Sequence, residues 1–439
     1  MSRDRLADAS ASVDGNRRQV LKGLGLAAFG CPFAGAAAQA ATAPSRHMTD
    51  APVANVASAE DRVPFFGKHQ AGITTPRPAN GMIAAFDVIA ETPDDLEALL
   101  KLITDRIAFL TEGGTLPELD PRLPPADSGI VGPVVKPDAL TITVSLGSSL
   151  FDGREWLKPL KPRHLSRMKK FPNDALDAAL CHGDITIQIC ANTQDTTIHA
   201  LRDLIKNTSR HLTLKWKQEG NVPVILPPPG GVAESARNYL GFRDGTANPD
   251  SGDEAVMERV VWVGAGRGEP EWAVGGAYQA VRIIRNFVER WDRTPLKEQE
   301  RIFGRTKMGG APLDKPEAGE FATPDYAADP EGKLTPLDSH IRLANDRTPA
   351  AAENTILRRP FNYSNGVTKS GQLDQGLLFI CYQGDLEKGF ITVQRRLDGE
   401  PLEEYIKPIG GGYFYTLPGV RDASDYLGST LIAAVRKAP

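Results

Sequence analysis

Alternating apolar and polar positions predict strands at residues 82–90, 140–147, 184–191 and 212–218. Two other segments, about 94–110 and about 196–207, carry the helical period instead, and Thr92-Pro93-Asp94 opens the first as a helix start. The order β-α-β-β-α-β is that of a ferredoxin-like unit. Pro227-Pro228-Pro229-Gly230-Gly231 then breaks the chain, since proline lacks the N–H that regular structure uses and glycine resists ordering.

The second half echoes the first. Asp184-Ile185-Thr186-Ile187-Gln188-Ile189-Cys190 precedes Asp195 and a helix, just as Gly376-Leu377-Leu378-Phe379-Ile380-Cys381 precedes Asp385 and a helical run to about residue 397. Strands at 212–218 and 412–416 close the two copies, and a strand near 278–287 with a helix near 296–305 supplies the earlier elements of the second. The pattern reads as an internal duplication. The expected fold class is α+β: two tandem ferredoxin-like units, residues 64–226 and 232–435, whose antiparallel sheets pack together as in a dimeric α+β barrel. Residues 307–338, rich in Pro, Gly, Asp and Glu with no apolar period, read as a long surface loop leading into His340.

Composition narrows the class. The chain has 439 residues, 41% hydrophobic and 24% charged, which suits a globular protein with a large core. Its net charge is −4, and the lysines and arginines are dispersed, so nucleic acid is not an expected partner. The N-terminus differs from the rest. Asn16-Arg17-Arg18-Gln19-Val20-Leu21-Lys22 precedes a mildly apolar run, and Ala38-Gln39-Ala40 offers small residues for cleavage. Residues 1–40 therefore read as a twin-arginine export signal and 41–63 as a flexible linker, which places the mature protein in the periplasm or outside the cell. The alternative is a membrane anchor, against which stand the Gly and Ala content and shortness of the run; no stable membrane span is expected. Removal of the signal takes away Cys31 and leaves Cys181, Cys190 and Cys381. Cys190 and Cys381 sit in apolar strand runs and read as core residues, whereas a bridge from Cys181 to Cys190 stays open.

Three groups of residues carry candidate chemistry. His340, in Ser339-His340-Ile341-Arg342-Leu343-Ala344-Asn345, could ligate a haem iron, and Arg342 could meet an anionic propionate. Of the seven histidines, His69 is its closest rival. Asp244 lies in Gly241-Phe242-Arg243-Asp244-Gly245-Thr246-Ala247-Asn248-Pro249, where glycines allow close backbone approach and a carboxylate beside a cation could shuttle a peroxide proton. Arg358 and Arg359 offer a fixed positive charge for the breaking O–O bond; in an extended segment they point to opposite faces, so only one enters a pocket. Each has an ordinary alternative: a histidine bonded to backbone, a turn aspartate, a surface arginine pair.

These segments, with Gly371-Gln372-Leu373-Asp374 to Gly389-Phe390 and Tyr405-Ile406-Lys407-Pro408-Ile409-Gly410-Gly411-Gly412-Tyr413-Phe414, resemble the dye-decolorizing peroxidase family over about residues 65–432. The likeness is greatest to its exported twin-arginine subgroup of deferrochelatase/peroxidases. The resemblance implies two ferredoxin-like halves with haem b held mainly by the second. It makes His340 the proximal iron ligand, Asp244 the distal acid-base and Arg358, first of its pair, the distal arginine. Gly241, Phe242, Arg243, Gly245, Thr246 and Arg342 would surround the cofactor. Glu404, with Glu403 as the alternative, would be the acidic partner of the histidine. Pro360 departs from the family pattern, which has glycine after the pair. The implied activities are reduction of hydrogen peroxide with oxidation of bulky phenols or dyes, and release of iron from haem with the porphyrin intact. A non-catalytic haem carrier is the alternative. A homodimer and an iron-uptake system of the cell envelope are the implied partners.

Overall fold

The computed structural model describes residues 58–118, 120–225 and 233–438; the expected signal, most of the linker and the Pro-Gly break lie outside them. In the first half the chain forms β1 (Asn80–Val88), α1 (Pro93–Glu112), β2 (Thr141–Gly147), β3 (Ile185–Ala191), α2 (Gln194–Thr208) and β4 (Leu212–Asn221). In the second it forms β5 (Ala277–Asn286), α3 (Leu296–Phe303), α4 (His340–Ala344), β6 (Leu357–Arg358), β7 (Phe361–Val367), β8 (Leu373–Gln383), α5 (Thr392–Arg396), β9 (Ile406–Thr416) and α6 (Ser429–Lys437). Strand β7 was not foreseen, because Asn362, Ser364, Asn365 and Gly366 give it the composition of a loop.

The two halves share one strand order, β2-β3-β1-β4 in the first and β7-β8-β5-β9 in the second. That is the ferredoxin-like order twice, and all pairings named here are antiparallel. The sheets pack together as expected, Ile83, Ala85 and Trp216 of the first clustering with Val281, Ile283 and Leu378 of the second, and they also join edge to edge. Phe414, Tyr415 and Thr416 of β9 pair with Gly147, Leu146 and Ser145 of β2, and Asn221 of β4 pairs with Asn362 of β7. The ring closes into a barrel with β6 added outside it on β8. Closure removes the open edges that would otherwise invite association.

The outer faces of the halves are covered differently, and this difference makes the site. Helix α1 runs for 20 residues, starts in a capping box between Thr92 and Asp95, and buries Leu96, Leu99, Leu100, Ile103 and Ile107 completely. Arg106 of α1 grips Asp203 of α2 through two hydrogen bonds of 2.8 and 2.7 Å, fixing the pair over the first sheet. In the second half α3 has only 8 residues and α5 only 5, α5 following a π-helical turn at Glu387–Ile391. Helices this short cannot roof the sheet. A hollow is left where β5 and β8 present Arg282, Ile284, Asn286, Leu377 and Phe379 outward. Cys181, Cys190 and Cys381 are all free and buried. Among the described residues no helix is long and apolar enough to cross a membrane.

Candidate active site

The hollow is a cavity of about 270 Å³ between the outer face of the second sheet, α4, the π-helical turn with α5, and the Asp244 loop. Much of its wall is apolar, with Leu240, Phe242, Phe303, Ile341, Ile356, Leu377, Phe379 and Phe390 contributing. A few polar groups converge on it, as in a binding site for a flat, largely apolar ligand.

On one side stands His340, the first residue of α4. The chain from Gly304 to Ser339 crosses the surface without a regular element, and Ser339 Oγ ties its end by donating to Pro336 O at 2.7 Å. His340 Nδ1 donates to Glu400 Oε2 at 2.7 Å. Glu400 is 3% exposed, whereas the imidazole is 31% exposed on the side that opens into the cavity. The bond sets the tautomer: Nδ1 carries the proton and Nε2 keeps its lone pair. Burial works against the charged imidazolium, but the Glu400 carboxylate outweighs it by charge and hydrogen bond, so the His340 pKa lies above its ordinary value.

On the other side is a turn at Gly241–Asn248. Gly241 (φ +87°) reverses the chain where a Cβ would stand 2.7 Å from Lys307 Cε, and Asp244 N donates to Ala236 O at 2.8 Å. Asp244 Oδ1 accepts from Arg358 Nη1 at 2.6 Å, with side-chain exposures of 13% and 27%. Phe242, Arg243, Asp244, Thr246 and Ala247 line the cavity, while Gly241 and Gly245 shape the loop behind them. Arg359 turns away from Arg358 and donates to Thr75 O and Pro76 O.

Two expectations are corrected. Glu404 is 62% exposed, lies 3.9 Å from Arg290, and does not touch His340; Glu403 lines the cavity but accepts from its own segment at Gly399 N. Glu400 takes the place because the turn at Pro401–Glu404 points the later acids elsewhere. Arg342 likewise faces away from the cavity: it donates to Thr335 O at 2.8 Å, lies 3.4 Å from Asp329 and stacks over Tyr326. Its position two residues after His340 on a helix turns it to another face. Besides Arg358, the guanidinium groups that line the cavity are Arg243, Arg305 and Arg347, with Arg282 on the sheet. Arg243 is held by Ser235 O, Glu234 and Glu320, and Arg305 donates to Gly310 O and Glu320 O, whereas Arg347 has no carboxylate within ion-pair distance among the described residues. His69, the rival histidine, is stacked on Trp262 outside the cavity. Among the described residues no cluster of His, Cys, Asp or Glu could hold a metal ion by itself.

The family description "Dyp-type peroxidase, N-terminal" matches residues 70–221 and "Dyp-type peroxidase, C-terminal" matches 235–421. The chain belongs to the Dyp-type peroxidase family. The deferrochelatase of Shigella sonnei is 56% identical over 428 residues, 97% of this chain and 99% of that protein. The deferrochelatase of Escherichia coli O157:H7 is 57% identical over the same shares. Among solved Dyp-type peroxidase structures, that from Cellulomonas bogoriensis aligns with a TM-score of 0.75 at 33% identity, covering 85% of this chain and 99% of that one. Ferric DtpA from Streptomyces lividans gives 0.75 at 32%, covering 85% and 98%.

Proposed function

We propose that this Dyp-type peroxidase holds haem b at His340, reduces hydrogen peroxide at the expense of bulky phenolic or dye-like donors, and releases iron from haem as its deferrochelatase relatives are named for doing. The observation that carries the reading is one cavity with a carboxylate-bonded imidazole on one side and an Asp–Arg pair on the other. The residues fit the cofactor: an imidazole with a free Nε2, apolar walls for the ring, and, for a propionate, the Arg347 guanidinium on the cavity wall, which no carboxylate of the described residues pairs.

Haem bound there would supply the iron at which peroxide is reduced and would hold the oxidising equivalents until electrons from the donor restore it. The protein's own groups move the protons. Asp244 takes a proton from one peroxide oxygen and returns it to the other, and with Oδ1 held by Arg358 its second oxygen is left for that exchange. Arg358, always charged, stabilises negative charge on the departing oxygen, which leaves as water. Glu400 raises the basicity of His340 through Nδ1. Iron release requires two protons to replace the metal in the porphyrin, and Asp244, which lines the same cavity as His340, is the acid that would support this second role. A carrier would keep His340 and Glu400 but leave the Asp244–Arg358 pair without work.

The twin-arginine signal, periplasmic location, haem-binding second half at 232–435 after a first half at 64–226, homodimer and envelope iron-uptake partner belong to the same proposal. They rest on Arg17-Arg18 and the relatives' name. The test is the absorption spectrum of wild type and His340→Ala, with and without peroxide, joined to stopped-flow rates for Asp244→Asn and Arg358→Leu. A Soret band lost only in His340→Ala, and rates lowered 10²- to 10⁴-fold in the distal variants, are expected, about the scale of acid–base and electrostatic catalysis. Unchanged distal rates overturn the assignment. Porphyrin fluorescence after anaerobic incubation with haem reads iron release, and its absence refutes that role.

A further inference from the structure

The strand that carries Arg358 is a two-residue edge element. β6 pairs with β8 on one side only, with Arg358 opposite Cys381, and it ends the strand order. Antiparallel pairing turns successive residues alternately toward and away from the neighbour. Arg359 N faces β8 and donates to Ile380 O at 2.7 Å, so the N–H and C=O of Arg358 face outward with no strand to meet them. Both are nevertheless satisfied, by one side chain. Arg358 N donates to Asn248 Oδ1 at 2.8 Å, and Asn248 Nδ2 donates to Arg358 O at 2.9 Å. The primary amide of asparagine has the donor and acceptor of a peptide, so Asn248 stands in for a neighbouring strand.

Asn248 belongs to the same turn as Asp244. Its own N–H donates to Gly245 O at 2.9 Å, which closes the turn, and Gly245 (φ +147°) adopts a backbone that a side chain would oppose, with a Cβ 3.1 Å from Ser235 Oγ. The turn therefore touches Arg358 twice: at the guanidinium through Asp244 Oδ1 and at the backbone through Asn248. A long arginine on a short edge strand has four side-chain torsions and little else to hold it. With backbone and head group anchored to one turn, the reach between them is fixed.

We propose that Asn248 is a positioning residue for the distal pair, locking the backbone of Arg358 to the turn that carries Asp244 so that the two groups act as one unit. Arg77 completes the clamp from the first half by donating to Pro360 O at 2.6 Å, so proline, which departs from the family pattern at 360, leaves its carbonyl in use. The inference rests on the distal roles proposed for Asp244 and Arg358.

The test compares Asn248→Ala, which removes both bonds, with Asn248→Asp, which fills the same space and keeps the acceptor for Arg358 N–H. The second-order rate of the haem-loaded protein with hydrogen peroxide should fall about tenfold to a hundredfold in the alanine variant, the scale of an ångström-sized misplacement, and recover in part in the aspartate variant. Haem affinity, read by titrating the haem-free protein with haemin, should not change, because His340 and its wall are untouched. In crystals of haem-free Asn248→Ala, Arg358 Nη1 should no longer hold Asp244 Oδ1. If Asp244→Asn and Arg358→Leu slow the peroxide reaction and neither Asn248 variant does, the positioning role is wrong and the distal reading stands. If none of the four slows it, the distal reading itself falls. Should Asn248→Ala fail to fold, an aspartate variant with wild-type rate and an unmoved Arg358 is enough to overturn the role.

Discussion

Replacing Glu400 by alanine removes a carboxylate that is 3% exposed and whose hydrogen bond to His340 Nδ1 is 2.7 Å long. A hydrogen bond to a charged group contributes roughly 1.5–3 kcal/mol net, and the loss leaves Nδ1–H without its partner in a desolvated place. At about 1.4 kcal/mol per factor of ten, haem should be held roughly 10- to 150-fold more weakly by Glu400→Ala. The independent expectation for removing an outer partner of a metal-bound histidine, about 10- to 100-fold, falls in the same range. Glu400→Gln keeps a neutral acceptor and should lose only part of this. Glu404→Ala is the matched control: that side chain is 62% exposed and reaches only Arg290, at 3.9 Å. Titration of the haem-free proteins with haemin, followed at the Soret band, measures all three. Equal affinities for Glu400→Ala and wild type, or a loss in Glu404→Ala as large as that in Glu400→Ala, would refute the assignment of Glu400.

Arg347→Leu should weaken haem retention about fivefold, the scale of one partly exposed charge-assisted hydrogen bond, whereas Arg342→Leu should leave affinity alone and lower the melting temperature by releasing Asp329; the same titration and a thermal melt separate them. Gly376→Ala should destabilise the fold by at least ~1–3 kcal/mol, since its Cβ would lie 1.9 Å from Ile284 O and drive β8 from β5; a denaturant midpoint within error of wild type contradicts this. Burial, with the positive charges of Arg167 and Lys215, pushes the pKa of His182 down to about 4. The unfolded chain then binds the proton first, so this contribution to stability is intact above about pH 6.5 and is lost as pH falls toward 4. An NMR titration of His182 with a midpoint near 6.5 would remove the argument.

The periodicities of the chain determined most of the secondary elements and the duplication, though not β6 and β7, because apolar spacing reports which face each element buries whatever lies against it. β1, α1, β3 and α2 fall where alternation and capping put them. His340, Asp244 and Arg358 could be singled out as candidates from their segments, each with an ordinary alternative; that they line one cavity is seen only in the packed chain. Tertiary structure decided everything that depends on distance in space. Glu400 is 60 residues from His340 in the chain and has no local mark separating it from Glu403 and Glu404; burial and a 2.7 Å contact select it. Arg342 stands two residues from His340 yet points elsewhere, while Arg305, just after α3, and Arg347, in the segment after α4, line the cavity. Edge-to-edge closure of the barrel and the role of Asn248 depend on which strand is left without a neighbour. Sequence fixes what each segment can bury or bond; only the packed chain fixes which partner arrives to meet it.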